Sequence, residues 1–404
     1  MKRILPFLLI VSTAQAQTRA GLIDWYERLT TFSESGGKLN IVTVGDSHLE
    51  GVMDTLEPGD NFPYRWSNQF RRDLRAAYGE PLGGYGFLSA NNSVNHPLFG
   101  TPTAYTGGTQ FGTWYDRCFN DSTPAKGVCL KYAETTQAGA YREWYKWPGG
   151  LSEASRSWVD RPGSYRFVYQ KRPGGGKISF VLTNYGRNIE YGRVTVDCGT
   201  DTGLPESYGH ISEPLDVSQG FYIRAVNLDG KPTYWEGCYL DTSTDRLNVV
   251  NYACGGSTAF AWNNQQTVEG IARAKPDVIL YQTGHNDIFA GRYTVEQWRD
   301  HVRGFIQKSQ AKMPKVSILL VLGFHYQPSQ YAVWEQAHAY AREIAAEFRV
   351  GLWSWHEVAG KLNAEQWAVP LGIKNPFKGH LNRQGQGWLS GQILSLLNKR
   401  VSVN

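Results

Sequence analysis

Three short apolar runs constrain what this chain can fold into. Asn40–Val44, Asp277–Gln282 and Val316–Leu322 are each rich in β-branched or aliphatic residues and are each followed by glycine and polar residues. Runs that are apolar throughout, rather than alternating, read as strands buried on both faces, as in a parallel sheet. A helix is expected from about Val295 to Lys308, between the last two runs. A stronger one follows over Tyr331–Phe348, where Val333, Ala337, Tyr340, Ile344 and Phe348 fall at helical spacing. Strand and helix in alternation predict a doubly wound α/β layer, with ligands bound at the carboxyl ends of the strands.

The middle of the chain follows another pattern. Between about residues 101 and 245 no long amphipathic helix can be drawn. Short alternating runs take its place, at Ser164–Gln170, Ile178–Thr183, Arg193–Cys198 and Gly220–Val226, separated by turns such as Arg172-Pro-Gly-Gly-Gly176 and Asn227-Leu-Asp-Gly230. This predicts a β-sandwich inserted into the α/β domain. The expected organisation is therefore a leader over residues 1–16, α/β segments over 17–100 and 246–404, and a β-rich insert over 101–245.

The leader reading rests on Lys2-Arg3, the apolar run Ile4–Val11 and the small-x-small pattern Ala14-Gln15-Ala16. Together these predict a secretory signal cleaved near Ala16, and hence a secreted or periplasmic protein. No later run reaches the roughly 20 apolar residues of a transmembrane helix. Loss of Lys2 and Arg3 would also shrink the net charge of +5. No basic run exceeds two residues, which argues against nucleic acid as a partner. Cys118 with Cys129, and Cys198 with Cys238, have spacings that allow disulfides in an oxidising compartment, leaving Cys254 odd. No Cys-x-x-Cys, Walker A loop, dinucleotide fingerprint or His-Glu-x-x-His occurs, so no metal and no cofactor are expected.

Four short blocks carry the chemistry. Gly45-Asp-Ser-His-Leu49 follows the first strand, so that Ser47 opens at the functional edge of the sheet. Ala253-Cys-Gly-Gly-Ser-Thr258 follows a further candidate strand, Leu247–Asn251. Thr283-Gly-His-Asn-Asp287 follows the 277–282 strand, and His380-Leu-Asn382 stands near the C-terminus. A serine hydroxyl is a poor nucleophile without a base, and ester cleavage also needs donors aimed at the developing oxyanion. Taken alone, the serine after glycine would be an ordinary helix cap, Asn286-Asp287 a turn pair and Gly255-Gly256 a turn.

In this order the blocks resemble those of the SGNH (GDSL-type) hydrolase superfamily. The resemblance implies a three-layer α/β/α, flavodoxin-like parallel sheet. It also implies Ser47 as nucleophile, His380 as general base, and an oxyanion hole of the Ser47 and Gly256 N–H groups with the Asn286 amide. Asp46 and Asp287 are expected to support these turns. His48 and His285, beside the nucleophile and Asn286, are expected to line the pocket. One departure matters: the family pattern places an aspartate three residues before the histidine, where this chain has Phe377. A backbone carbonyl near Phe377 or an acid from elsewhere would then orient His380, or catalysis has been lost.

Aromatic residues in and around the insert suggest the substrate, because flat rings stack on sugars. Trp114, Trp144 and Trp147 are the candidate contacts, although most tryptophans fill cores. The arrangement is similar to that of secreted peptidoglycan and polysaccharide O-acetylesterases. The resemblance rests on Gly45-Asp-Ser-His-Leu49, Gly83-Gly-Tyr-Gly-Phe87 and a β-rich insert leading through Glu236-Gly-Cys-Tyr-Leu-Asp241. It implies an acetylated glycan or other ester as partner. A polysaccharide O-acetyltransferase with the same machinery, or a non-catalytic glycan-binding surface protein, would use the same residues differently.

Overall fold

The computed structural model describes residues 21–51, 66–79, 86–89, 108–118, 130–146, 164–184, 186–199, 205–208, 221–241, 246–323, 327–376 and 379–398. The chain begins with α1 (Ile23–Ser35), β1 (Leu39–Val44), a single turn α2 (Ser47–Glu50) and α3 (Trp66–Ala77). Strands then follow one another: β2 (Gly86–Ser89), β3 (Gly108–Phe111), β4 (Tyr115–Cys118), β5 (Lys131–Thr135), β6 (Tyr141–Lys146), β7 (Ser164–Gln170), β8 (Lys177–Asn184), β9 (Glu190–Asp197), β10 (Pro205–Tyr208), β11 (Phe221–Asn227) and β12 (Thr233–Asp241). The α/β pattern resumes with β13 (Leu247–Asn251), α4 (Ala259–Trp262), α5 (Gln265–Arg273), β14 (Val278–Thr283) and α6 (Val295–Lys312). It continues through β15 (Ser317–Leu322), α7 (Tyr331–Phe348), β16 (Gly351–Ser354), α8 (Trp355–Val358), α9 (Ala364–Trp367) and α10 (Arg383–Leu397).

Two compact units result. Among the described residues, those before residue 58, those up to 78 in α3, and those from 251 onward make one unit; residues 79–250 make the other. A five-stranded sheet has the order β13-β1-β14-β15-β16, with β1, β14, β15 and β16 in the first unit. Counted along the chain this is 2-1-3-4-5, the flavodoxin-like order, and the β1–β14, β14–β15 and β15–β16 pairings are parallel. Every residue of β14 and β15 is buried, as their unbroken apolar runs require. β16 has only four residues and passes directly into α8, so it offers too short a run to be read from sequence. The strand order reverses between β1 and β14, and crevices in open α/β sheets form at such points. No described helix is long and apolar enough to cross a membrane.

The second unit is an antiparallel sandwich. One sheet runs β10-β7-β12-β5-β4 with β2 also on β12, and the other runs β3-β6-β11-β8-β9. β2 lies within the segment read from sequence as α/β, yet it pairs with β12 from Leu240 to Gly237. The core between the sheets includes Phe167, Tyr169, Phe180, Leu182, Ile223 and Trp235. Phe167 and Phe180 stack face to face at 4.5 Å, one from each sheet. Trp114 belongs to this core and is only 6% exposed, so the sugar-contact reading of it is corrected: its ring is used for packing. Trp144 stands in β6 opposite Ile223, and Trp147 lies outside the described residues.

The allowed pairing of Cys198 with Cys238 is also corrected. Both are buried in the sandwich core and no disulfide joins them. Burial pushes the Cys198 thiol up to about 12, so it packs as an unreactive apolar group. Cys129 lies outside the described residues. Because Phe180 packs on Phe167 and Trp235 with none of its surface exposed, Phe180→Ala should destabilise the sandwich by about 3–5 kcal/mol. Denaturant unfolding followed by tryptophan fluorescence checks this; a loss below about 1 kcal/mol would contradict the packing.

Candidate active site

The nucleophile candidate is placed by a close approach of two strand ends. After β1 the chain turns at Gly45, with φ +156°, and a Cβ there would lie 2.7 Å from the Gln282 carbonyl oxygen at the end of β14. Only glycine lets the strands come this near. Asp46 then caps the short α2: its Oδ1 accepts from His48 N at 2.9 Å, while its backbone oxygen accepts from Glu50 N. Ser47 is the first residue of that turn. Its Oγ lies 2.8 Å from His380 Nε2, which arrives from 333 residues away in sequence. His380 is held between an isolated bridge pairing Lys374 with Leu381 and the Asn382 cap of α10, whose side chain accepts from Gly385 N. Phe377 and Lys378 lie outside the described residues.

Gly256 stands in a turn packed beside the serine. A Cβ built on Gly255 would come within 3.6 Å of Ser47 Cβ. Gly256 itself has φ +79°, and a Cβ on it would meet nothing within 4 Å. Within the protein its glycine is therefore required by the left-handed backbone rather than by crowding. Asn286 and Asp287 sit on a single π-helical turn, His285–Phe289, directly after β14. Asn286 Nδ2 donates to Ser257 O at 3.0 Å, which leaves the amide its second hydrogen. Asp287, fully buried, accepts from Ala259 N, Thr283 Oγ1 and Gly284 N. The pair thus fastens the turn after β13 to the turn after β14. Among the described residues, neither Ser47 N nor Gly256 N donates to a protein acceptor.

His48 and His285 are both buried, and their rings lie 4.1 Å apart, with His380 5.1 Å from His48. Burial, then His285, then His380 hold the His48 imidazole well below its ordinary value, which favours its neutral form. Gln282 Oε1 accepts from Leu49 N, which turns its Nε2 toward His285 Nδ1 at 3.2 Å. His285 Nδ1 therefore serves as an acceptor. The same nitrogen lies 3.5 Å from Asp46 Oδ2, and Asp46, His48 and His285 bring ligand atoms within 4.8 Å of one another. Such a His–His–Asp set is of the kind divalent ions use; here the Gln282 hydrogen bond already occupies the Nδ1 lone pair.

A cleft of about 680 Å³ opens over these groups, lined by Ser47, His48, His285, Asn286 and His380 and bounded by Phe289, Gln327, Asn363, Glu365 and Gln366. The geometry provides a hydroxyl bonded to an imidazole, with two backbone N–H groups and a carboxamide nearby. A hydroxyl so placed can lose its proton as it attacks a carbonyl carbon. Sequence reasoning missed three contributors: Gln282, which fixes His285; Glu50, whose carboxylate accepts from Gly255 N; and Arg292, whose Nη1 donates to Gly256 O. None lies in a recognisable pattern, and Glu50 meets Gly255 across 205 positions.

Asp287 yields a pH test. Burial, with a smaller contribution from Asp46, pushes its carboxyl up to about 7 against the pull of its three donors. Its folded value thus exceeds the unfolded value of about 4. The stability it contributes is fully present below about pH 4 and is lost as pH rises through about 7. Asp287→Asn removes this dependence. The melting-temperature gap between wild type and variant should be larger at pH 5 than at pH 8; a gap that widens toward pH 8 would contradict the assignment.

Comparison with known proteins follows the same lines. Residues 219–388 match the model of the GDSL-like Lipase/Acylhydrolase family. No curated protein sequence matches the chain. Among solved structures, a peptidoglycan O-acetylesterase is similar over 93% of this chain and 96% of its own, with 15% identity and a TM-score of 0.63. The esterase EstA from Pseudoalteromonas sp. matches over 38% of this chain and 77% of its own (15% identity, TM-score 0.31). A family two carbohydrate esterase from Cellvibrio japonicus matches over 72% and 99% (9% identity, TM-score 0.28). Residues 219–388 are thus similar to a GDSL-like lipase/acylhydrolase domain, and the fold is shared with the peptidoglycan O-acetylesterase structure.

Proposed function

We propose that this protein is a serine esterase that removes O-acetyl groups from a polysaccharide. The observation that carries the reading is the 2.8 Å approach of Ser47 Oγ to His380 Nε2 at the edge of a cleft that also exposes Asn286. Ser47 Oγ attacks the acetyl carbonyl carbon while its proton passes to His380 Nε2. The tetrahedral oxyanion is met by the Ser47 and Gly256 N–H groups and the Asn286 amide. Collapse breaks the ester bond, and the imidazolium returns its proton to the departing sugar oxygen. Water, deprotonated by His380, then attacks the acetyl-enzyme and releases acetate. His48, held neutral, adds no charge to oppose the imidazolium that forms.

The glycan side of the reading is supported by the cleft wall. Phe289, on the cleft wall, is 43% exposed and offers apolar surface to a substrate. Gln327, Asn363 and Gln366 offer carboxamides that can both give and accept hydrogen bonds to hydroxyls. The similarity to a peptidoglycan O-acetylesterase over nearly the whole chain favours the same class of substrate here. The N-terminal pattern ending at Ala16 favours action outside the cytoplasm.

The test is acetate release from acetylated peptidoglycan, xylan and capsular polysaccharide, beside an acetylated aryl ester. Wild type should release acetate from at least one glycan, and Ser47→Ala should release none above background. His380→Ala should lose at least ~10²-fold in kcat. Release retained by Ser47→Ala would overturn the site, and no release from any substrate would overturn the activity.

A further inference from the structure

The turn that bears Gly256 has a built-in weakness. Ser257 N donates to Cys254 O at 3.1 Å, closing a four-residue turn. Its third residue, Gly256, has φ +79°, while Gly255 is not among the glycines of positive φ. That combination is a type II turn. In such a turn the central peptide, here Gly255–Gly256, points its N–H to one side and its carbonyl to the other. Both central residues are glycines, so no Cβ resists a half-turn of that peptide. A flip would replace the Gly256 N–H with the Gly255 carbonyl, and a carbonyl facing an oxyanion repels it.

The flanking peptides are held on both sides. The Glu50 carboxylate accepts the Gly255 N–H, and Arg292 Nη1 donates to the Gly256 oxygen at 3.2 Å. We propose that Glu50 and Arg292 are positioning residues that clamp this turn, so that the Gly256 N–H and not the Gly255 carbonyl faces the reacting oxygen. The proposal rests on the serine-esterase reading above. Glu50 stands one helical turn after Ser47 and is 8% exposed. A carboxylate so near the nucleophile opposes a developing negative charge, so its electrostatic effect alone gives no reason for its place. Its hold on Gly255 gives one. A Cβ on Gly255 would lie 2.8 Å from Glu50 Oε2, so glycine there is also what lets the carboxylate close on the turn.

The experiment compares wild type, Ser47→Ala, Glu50→Ala, Glu50→Gln and Arg292→Ala on an acetylated aryl ester. The same proteins are also treated with an aryl alkylphosphonate, whose tetrahedral adduct on Ser47 carries an oxygen at the oxyanion position. Glu50→Ala and Arg292→Ala should each lower kcat roughly 10–10²-fold, with KM within about twofold, and slow phosphonate inactivation by the same factor. Glu50→Gln keeps an acceptor and should restore most of the rate. A kcat within twofold of wild type in both alanine variants, or a loss confined to KM, would overturn the clamp. Glu50→Gln as slow as Glu50→Ala would overturn the acceptor role of Glu50. Should Glu50→Ala fail to fold by circular dichroism, the exposed Arg292→Ala decides. Activity retained by Ser47→Ala removes the esterase reading and the clamp together. An inactive Ser47→Ala beside unimpaired clamp variants removes the clamp alone.

Discussion

The site is assembled around the carbonyl oxygen of Gly45. That one atom accepts from Cys254 N and from Ser257 Oγ, both at 2.8 Å, and so uses both of its lone pairs. Trp262 Nε1 in turn donates to Ser257 Oγ. The turn carrying Ser47 and the turn carrying Gly256 are thereby joined at the residue that brings β1 against Gln282 of β14. Three strand ends meet there, at the point where the sheet reverses its order. A side chain at position 45 would separate them, and every distance in the site would lengthen with that separation.

Two buried side chains near this junction, Gln282 and Asp287, are matched with protein partners. Gln282 faces Leu49 N with its oxygen and His285 with its nitrogen. Asp287 collects three donors from two different turns. Satisfied networks of this kind in a low-dielectric interior are rigid, because any displacement leaves a costly unpaired group. On the proposed esterase reading, such rigidity serves the chemistry, because donors fixed before the reaction need no reorganisation while charge develops.

The sheet was legible in the sequence because β14 and β15 are buried on both faces and so contain little but apolar residues. The blocks at Ser47, Asn286 and His380 were legible because each follows a strand or precedes a helix in a short glycine- or asparagine-marked turn. Burial of an aromatic side chain has no such marker, and Trp114 in a loop-rich stretch looked available while it fills the sandwich core. Cysteine spacing likewise carries no direction: Cys198 follows β9 in one sheet and Cys238 lies in β12 of the other. Glu50 and Arg292 were invisible because their significance lies in what they touch. A glutamate in a short polar helix and an arginine in a loop read as ordinary solvated charges.

The 333-residue separation of Ser47 from His380 bears on how the chain acquires its chemistry. Closing so long a loop costs entropy that local contacts cannot offset, so this pair depends on the sheet and α10 being in place. Until then the serine is an ordinary alcohol, without a base to ionise it. On the proposed esterase reading, reactivity thus depends on α10 being packed, and a partly folded form that lacks this helix would be silent toward esters.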